Sequence, residues 1–478
     1  MPRTRLFFAL LGILSLLVLT SCKRNTEEQK SPFPSQSSPV APKVPFRDAL
    51  EPHLYELTSG ALATWRNFAG QKPTLVLFSA HPLLDPIPEE RKEQIRDLLV
   101  KSDEKEVVRR CRLLSNEPVA LPPETLSAAL DNDLFSAVVL VVPGQEKPKD
   151  FNLEKIRKRF QQAGFLTADE SAQLTLSDGV ISGTVRKVPL LIVHPDRLPK
   201  LDKPIILHID LSYFKEMYVN EVKTPSYDLL LQLATKVRAA AYPALAATLS
   251  FSNQEVGFSL ESRFLIRDLG TVLRKPELLD GNPPPSWELR AKALYATTMF
   301  AESEARELTL QAANKNPDDA AALYSLALDM FKQRQAEAGF ATLDQAVALD
   351  QGYGLEYLEL AQQGLSMGKT GKSIELLGKA ANALPDNPFV RIELANQLIQ
   401  ASRVKEARPL IAELIKLDWS KTFHPQVPQY LEQMKEAAAV DVIPPKNPER
   451  PSLADPPVRK PSGGMPGFNH MGMGTPGQ

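Results

Sequence analysis

Cysteine is nearly absent: Cys22 and Cys111 are the only two in 478 residues. Because Cys22 is assigned a different chemistry below, no disulfide framework can hold this chain together. Its stability has to come from core burial and from the stacking of repeats. Net charge is also lacking. Lys+Arg number 56 and Asp+Glu 57, which leaves −1, so there is neither a basic stripe for nucleic acid nor an acidic tail for a cationic partner. Common catalytic signatures are missing as well. There is no G-x-x-x-x-G-K-[ST] phosphate loop, no G-x-G-x-x-G after a strand and no G-x-S-x-G elbow, which removes the usual nucleotide-binding and serine-hydrolase chemistries. The apolar run at the amino end, residues 6–19, falls short of the about 20 residues a spanning helix needs.

The hydrophobic fraction is 43%, ordinary for a globular protein. The length predicts two or three domains. Proline, at 41 residues, is concentrated toward the two ends.

The amino end reads MPRTRLFFALLGILSLLVLTSCKRN. Arg3 and Arg5 precede the apolar run, which is the layout of a secretory signal. It closes on Leu19-Thr20-Ser21-Cys22, which resembles the lipobox of bacterial lipoproteins. The resemblance implies that residues 1–21 are removed, that the Cys22 thiol takes a diacylglyceryl group and that the new amino end is acylated. Several buried acyl chains make a stable anchor where one is marginal. Lys23 follows, not the Asp that resembles an inner-membrane retention signal, so the expected location is the bacterial envelope, at the outer membrane. Residues 22–46 are rich in Ser, Pro, Lys and Glu and read as a flexible tether, extending about 3.1 Å per residue where Pro-rich.

Residues 47–280 carry recurring apolar runs: TLVLFSA (74–80), SAVVLVV (136–142), VPLLIVH (188–194), PIILHIDL (204–211) and ALAATLSF (244–251). They are rich in Val, Ile and Leu and mostly do not alternate, as in strands covered on both faces of a parallel sheet. Helical patterns lie between them, over 88–114, 152–165, 226–243 and 259–274. The third is predicted to start on a Ser cap and stop at Pro243, and the fourth also to start on Ser. Residues 171–187 read as a hairpin turning at Asp178-Gly179. The expected fold is an α/β layered domain with a mostly parallel sheet.

Polar residues gather where these strands end: His81 and Asp85, His194 and Asp196, His208, Asp210 and Ser212, and Ser250, Ser252 and Asn253. If the strands are parallel neighbours, the ends form one rim, the place where open α/β sheets bind ligands. Ser79-Ala80-His81-Pro82-Leu83-Leu84-Asp85 and His208-Ile209-Asp210-Leu211-Ser212 resemble two metal-binding motifs of the arginase/deacetylase (ureohydrolase-type) superfamily. That resemblance implies metal at His81, Asp85, His208 and Asp210, with Asp210 the candidate catalytic residue, and hydrolysis of an amidine or amide by metal-bound hydroxide. The chain departs from the pattern at Ser79 and Ser212, where carboxylates are expected, and in the spacing from His81 to Asp85. The remaining ligands suit one divalent ion, Zn²⁺ or Mn²⁺, with an open position; a metal pair needs more carboxylates. The same residues are also compatible with buried histidines and an Asp that binds backbone N–H groups. Cys111 sits among Arg109, Arg110 and Arg112, which lower a thiol pKa, although a packed helical cysteine is inert.

In the last third a period of 34 appears. Ala293, Ala327, Ala361 and Ala395 share it, as do Ala305, Gly339, Ser373 and Ala407, and Ala312, Ala346, Ala380 and Leu414. Small residues at fixed positions of a 34-residue period resemble the tetratricopeptide (TPR) family, which implies an all-α TPR solenoid over 286–440, with a capping helix near 425–438. Leu289, Leu323, Tyr357 and Arg391 occupy one register position, so Arg391 breaks an otherwise apolar series; Lys292 and Leu414 are atypical too. The resemblance implies a protein- or peptide-binding groove lined by Tyr324, Asp329, Lys332, Glu356, Glu359, Glu393 and Asn396. Residues 441–478 are rich in Pro, Gly and Met and are expected to be a disordered tail. Met465, His470, Met471 and Met473 there could hold a soft ion such as Cu(I).

Two functions follow as expectations: an envelope lipoprotein that scaffolds protein partners, or a metal-dependent hydrolase whose repeats recruit substrate. The missing carboxylates favour the scaffold.

Overall fold

The computed structural model describes residues 32–34, 41–144, 151–253, 257–281 and 283–439. The leader, Cys22 and the tail residues Met465, His470, Met471 and Met473 lie outside the described residues.

Eight strands form one sheet: β1 (Pro52–Tyr55), β2 (Thr74–Phe78), β3 (Ala137–Val141), β4 (Thr175–Ser177), β5 (Val180–Val185), β6 (Val188–Val193), β7 (Ile205–Asp210) and β8 (Ala244–Ser250). Their order is β1-β8-β7-β2-β3-β6-β5-β4. The first six in that order run parallel, and β5 and β4 complete the sheet antiparallel. The apolar runs became strands because helices cover both faces, leaving no solvent face to impose alternation. Asp178 and Gly179 take φ 50° and 72°, the two-residue turn expected between β4 and β5. A second such turn joins β5 to β6 at Arg186 and Lys187, with φ 48° and 67°; neither residue type advertises it. β1 also escaped the sequence. It is a short edge strand, PHLY, opening on proline and without a sustained apolar run.

Two helix predictions change in detail. The pattern over 88–114 splits into Glu89–Lys101 and Glu104–Arg110 because Asp103 caps the second helix, accepting from the Glu106 N–H at 2.8 Å. Ser226 is the first residue of Ser226–Ala240, not its cap; its amide and hydroxyl donate to Glu221. Cys111 is fully buried, and burial outweighs the nearby arginines to push its thiol up to about 12, so it is a packed, protonated side chain.

The carboxyl-terminal part forms four helical hairpins: Pro285–Thr298 with Glu302–Lys315, Ala320–Lys332 with Ala336–Leu349, Leu355–Ser366 with Thr370–Ala383, and Pro388–Gln400 with Val404–Ile415. Helix Val427–Ala439 closes the stack. The small residues of the 34-residue register sit where helices cross closely. A methyl group on Gly339, for example, would meet the Phe331 ring at 2.6 Å. The turns inside the hairpins repeat with the same period: Phe300, Arg334, Gly368 and Ser402 all adopt left-handed backbone, with φ between 60° and 72°. A TPR-like helical-repeat region therefore follows the α/β layers.

The repeats are not hung from the sheet domain by a linker. One hydrophobic core runs from a sheet face (Val76, Phe78, Leu207, Ile209, Leu249), through helices Ser226–Ala240 and Arg263–Arg274 (Leu230, Leu233, Phe264, Leu269), into the hairpins (Leu323, Tyr324, Leu343, Tyr353, Leu377). A second core fills the other sheet face. A third packs the last hairpin on the closing helix.

Candidate functional site

The rim expected at the strand ends exists. The chain leaves β2 for β3 on one side and returns through β6 to β7 on the other, so the topological switch lies between β2 and β7. There Ser79 and Ser212, the positions where the metal-binding pattern wants carboxylates, meet hydroxyl to hydroxyl at 3.3 Å. Ser212 Oγ also accepts from the Ala80 N–H at 3.1 Å, and Ser79 Oγ from the His81 N–H at 3.0 Å. These contacts close the crevice.

Beneath it, Asp210 ends β7 and caps helix Leu211–Met217. Its Oδ1 accepts from the Ser212 N–H at 2.9 Å. Its Oδ2 accepts from three hydroxyls: Ser250 at 2.5 Å, Ser252 at 2.7 Å and Thr58 at 3.0 Å. Burial works to raise the Asp210 carboxyl. The donors from Ser212, Ser250 and Ser252 outweigh it and hold the group below the usual carboxylate range. Ser250 commits its one proton to this carboxylate, so His208 Nε2–H must donate to Ser250 Oγ, 3.1 Å away. His208 Nδ1 then accepts from the Thr248 hydroxyl at 2.8 Å, and Thr248 accepts from the Trp65 indole N–H at 3.1 Å. Donation therefore runs one way, from Trp65 through Thr248, His208 and Ser250 to Asp210, and bonds aligned in this way polarise one another. Burial drives the His208 pKa down to about 4 against the pull of Asp210, so the imidazole is neutral.

Trp65 and Thr58 belong to the segment 58–71, made of short helical turns, which roofs the network. Ser79, His208, Asp210, Ser212, Ser250 and Ser252 are all buried. Both ring nitrogens of His208 and both oxygens of Asp210 are used inside the protein, so this cluster acts as a saturated structural node.

The four metal candidates do not form one cluster. His81 is exposed and Asp85 half-buried, whereas His208 and Asp210 are sealed. Among the described residues, no three His, Cys, Asp or Glu side chains gather in an arrangement that could hold a metal ion. His194 and Asp196 form a separate pair at the end of β6: His194 Nε2 bonds the Gly144 carbonyl at 2.7 Å, and Asp196 pairs with Lys236 at 2.7 Å.

The groove positions read from the repeats also need correction. Tyr324, Glu356 and Asn396 are buried. The Tyr324 hydroxyl donates to Glu356 at 2.6 Å, and its ring stacks on Tyr353 at 4.4 Å. Lys332 and Glu359 are exposed, Asp329 and Glu393 half-buried, and Glu393 accepts from Gln397 at 2.9 Å. For Tyr324 the physical reason is that the turn Leu260–Ser262 packs on helix Ala320–Lys332, while Arg263 from the following helix reaches Asp350 between the second and third hairpins.

That packing is locked by charges which no motif announces. Arg263, fully buried, donates to Asp350 at 2.8 and 3.1 Å and to Glu56 at 2.8 and 2.9 Å, and lies 3.8 Å from the Phe251 ring centroid. Burial opposes the charged form of Asp350, but Arg263 and Arg267 overcome this and bring its pKa down to about 2. A methyl group on Gly352 would overlap the Arg263 guanidinium, so the glycine in Asp350-Gln351-Gly352 is needed by this contact. Arg290 binds Asp268 and the Tyr227 hydroxyl, each at 2.7 Å, and pairs with Asp319. The far end of the stack returns to the α/β layers through Asn116, whose side chain donates to the Asp418 carbonyl at 2.6 Å. The Ser420 N–H reaches the Asn116 carbonyl at 2.9 Å, and His424 the Ser115 carbonyl at 2.9 Å.

No family model matches the chain, and no curated protein matches it. Among solved structures, the chain is similar to one described as the crystal structure of APC/C hetero-tetramer Cut9-Hcn1, at 16% identity and a TM-score of 0.23. The match covers 46% of this chain and 44% of that one, under half the length of either. A likeness at that score carries no argument, and the helical-repeat assignment rests on the hairpins and their 34-residue register.

Proposed function

We propose that this chain is a lipid-anchored envelope protein that scaffolds a protein partner on its helical repeats, with the α/β layers serving as a rigid, non-catalytic base. The observation that carries this reading is Phe300. It stands 90% exposed in a left-handed backbone conformation at φ 60°, where the third hairpin has glycine. A bulky side chain there costs both conformational energy and exposed apolar area. Tyr295 and Met299 beside it are half exposed, and Met367 occupies the same register two repeats on. Aromatic and methionine side chains clustered in this way are the composition of a contact surface for another protein. The sealed state of His208 and Asp210 supports the non-catalytic base, since neither offers a free acceptor to a substrate.

A photo-crosslinking residue placed at position 300 is expected to trap one envelope protein, and a Tyr295→Ser, Met299→Ser double variant to lose the adduct. An adduct that survives the double variant would contradict the reading. The anchor rests on Leu19-Thr20-Ser21-Cys22; among the described residues no helix is long and apolar enough to cross a membrane. Cys22→Ser should move the protein from the membrane fraction to the soluble one, and retention in the membrane would refute the anchor.

A further inference from the structure

Arg391 is the exception in its register: the other three repeats place Leu289, Leu323 and Tyr357 there. The structure puts it on the wall of a cleft of about 360 Å³ between the last hairpin and the α/β layers. Arg391 is half-buried, its Nε is buried without a hydrogen-bond partner, and among the described residues it forms no ion pair. A buried guanidinium N–H left unmatched costs free energy until an acceptor reaches it. Lys416, exposed and also without an ion-pair partner among the described residues, lines the same cleft.

The opposite wall is already committed. Arg109 donates to Glu106 at 2.7 and 2.8 Å and to Asn116 at 2.6 Å, and Asn116 in turn holds the Asp418 carbonyl. Arg391 and Lys416 are therefore the donors left over. Asp386, Asp418 and Glu117 also line the cleft; the two aspartates are exposed, while Glu117 is half-buried and paired with Arg109 at 3.4 Å. These carboxylates disfavour a polyanion, so the site suits one compact anionic group placed against Arg391 and Lys416.

We propose that this cleft binds a small ligand through a single oxyanion group, carboxylate or phosphate, held by Arg391 and Lys416. Arginine offers such a group two parallel N–H donors, and the volume lies in the range of small-molecule sites. Because the walls come from both parts of the molecule, the ligand joins the end of the repeat stack to the α/β layers and stabilises the closed arrangement by mass action. This inference is independent of the protein-scaffold reading.

The test uses the full chain, titrated separately with acetate and with inorganic phosphate, reading chemical shifts and thermal midpoint. At least one probe should bind saturably at one site and raise the midpoint, and the preferred probe tells a carboxylate ligand from a phosphorylated one. Arg391→Leu, which restores the apolar register, should weaken that binding at least ten-fold while its ligand-free midpoint stays equal or rises. Lys416→Ala, at an exposed position, should weaken binding several-fold and tests the anion contact independently of the repeat register. Absence of saturable binding by either probe, unchanged affinity in the variant, or a lower ligand-free midpoint in Arg391→Leu would overturn the proposal.

Discussion

The repeat stack meets the α/β layers in two regions built on different physics. At the near end the interface is a continuous apolar core with ion-paired charges inside it, Arg263 with Asp350 and Glu56, and Arg290 with Asp268 and Asp319. At the far end a handful of hydrogen bonds to backbone carbonyls, from Asn116 and His424, together with Arg91 lying 5.2 Å from the centre of the Phe423 ring, span a solvated cleft. The near junction tolerates no loss, because removing one buried charge strands another. The far junction can open locally at small cost, so the near end fixes where the repeats sit and the far end is where ligand and motion can enter.

The largest effect should come from breaking the near end. Arg263→Met leaves Asp350 buried and partly unpaired and should cost about 3–5 kcal/mol in denaturant unfolding; a loss below about 1 kcal/mol would remove the distinction between the two regions. The strand-end node gives the next effect and depends on pH. His208 is neutral in the folded chain, with its pKa lowered from 6.5 to about 4. Its contribution is complete above the unfolded value of 6.5 and is lost as pH falls toward 4, where both states are protonated. The loss is about 3 kcal/mol. His208→Gln should flatten that part of the profile, and the difference between parent and variant isolates the histidine from the carboxylates that titrate nearby. At the far end, Asn116→Ala should cost about 1 kcal/mol and raise amide exchange in 415–424 without raising it in Ala320–Lys332. The smallest effect has the opposite sign. Phe300→Asn relieves the left-handed strain and should stabilise by about 1 kcal/mol, measurable as a small upward shift in thermal midpoint, while weakening partner capture.

These contrasts also show what was legible in the residues. The parallel strands were, because fully covered strands carry unbroken Val, Ile and Leu. The repeats were, because close helix crossings force small residues into one register. Asp210 stood out as a carboxylate at a strand end, and Ser250 and Ser252 were visible at the end of the neighbouring strand. Thr58 and Trp65, which complete the node from 152 residues upstream and 183 residues upstream of their partners, carried no local signal, since long-range pairing leaves no periodicity. Tyr324, Glu356 and Asn396 occupied groove positions by register. The packing of the turn Leu260–Ser262 onto helix Ala320–Lys332, which carries Tyr324, is again non-local and left no trace in the register.

The central claim is that the repeats and the α/β layers share one core and behave as one cooperative body. Denaturant unfolding of the full chain, followed together by far-ultraviolet circular dichroism, which helices dominate, and by Trp65 fluorescence in a variant with Trp287 and Trp419 replaced by Phe, tests it most directly. The account predicts coincident transitions that Arg263→Met shifts together. Loss of helical signal while the Trp65 environment stays folded would contradict it, because an independent repeat array melts on its own.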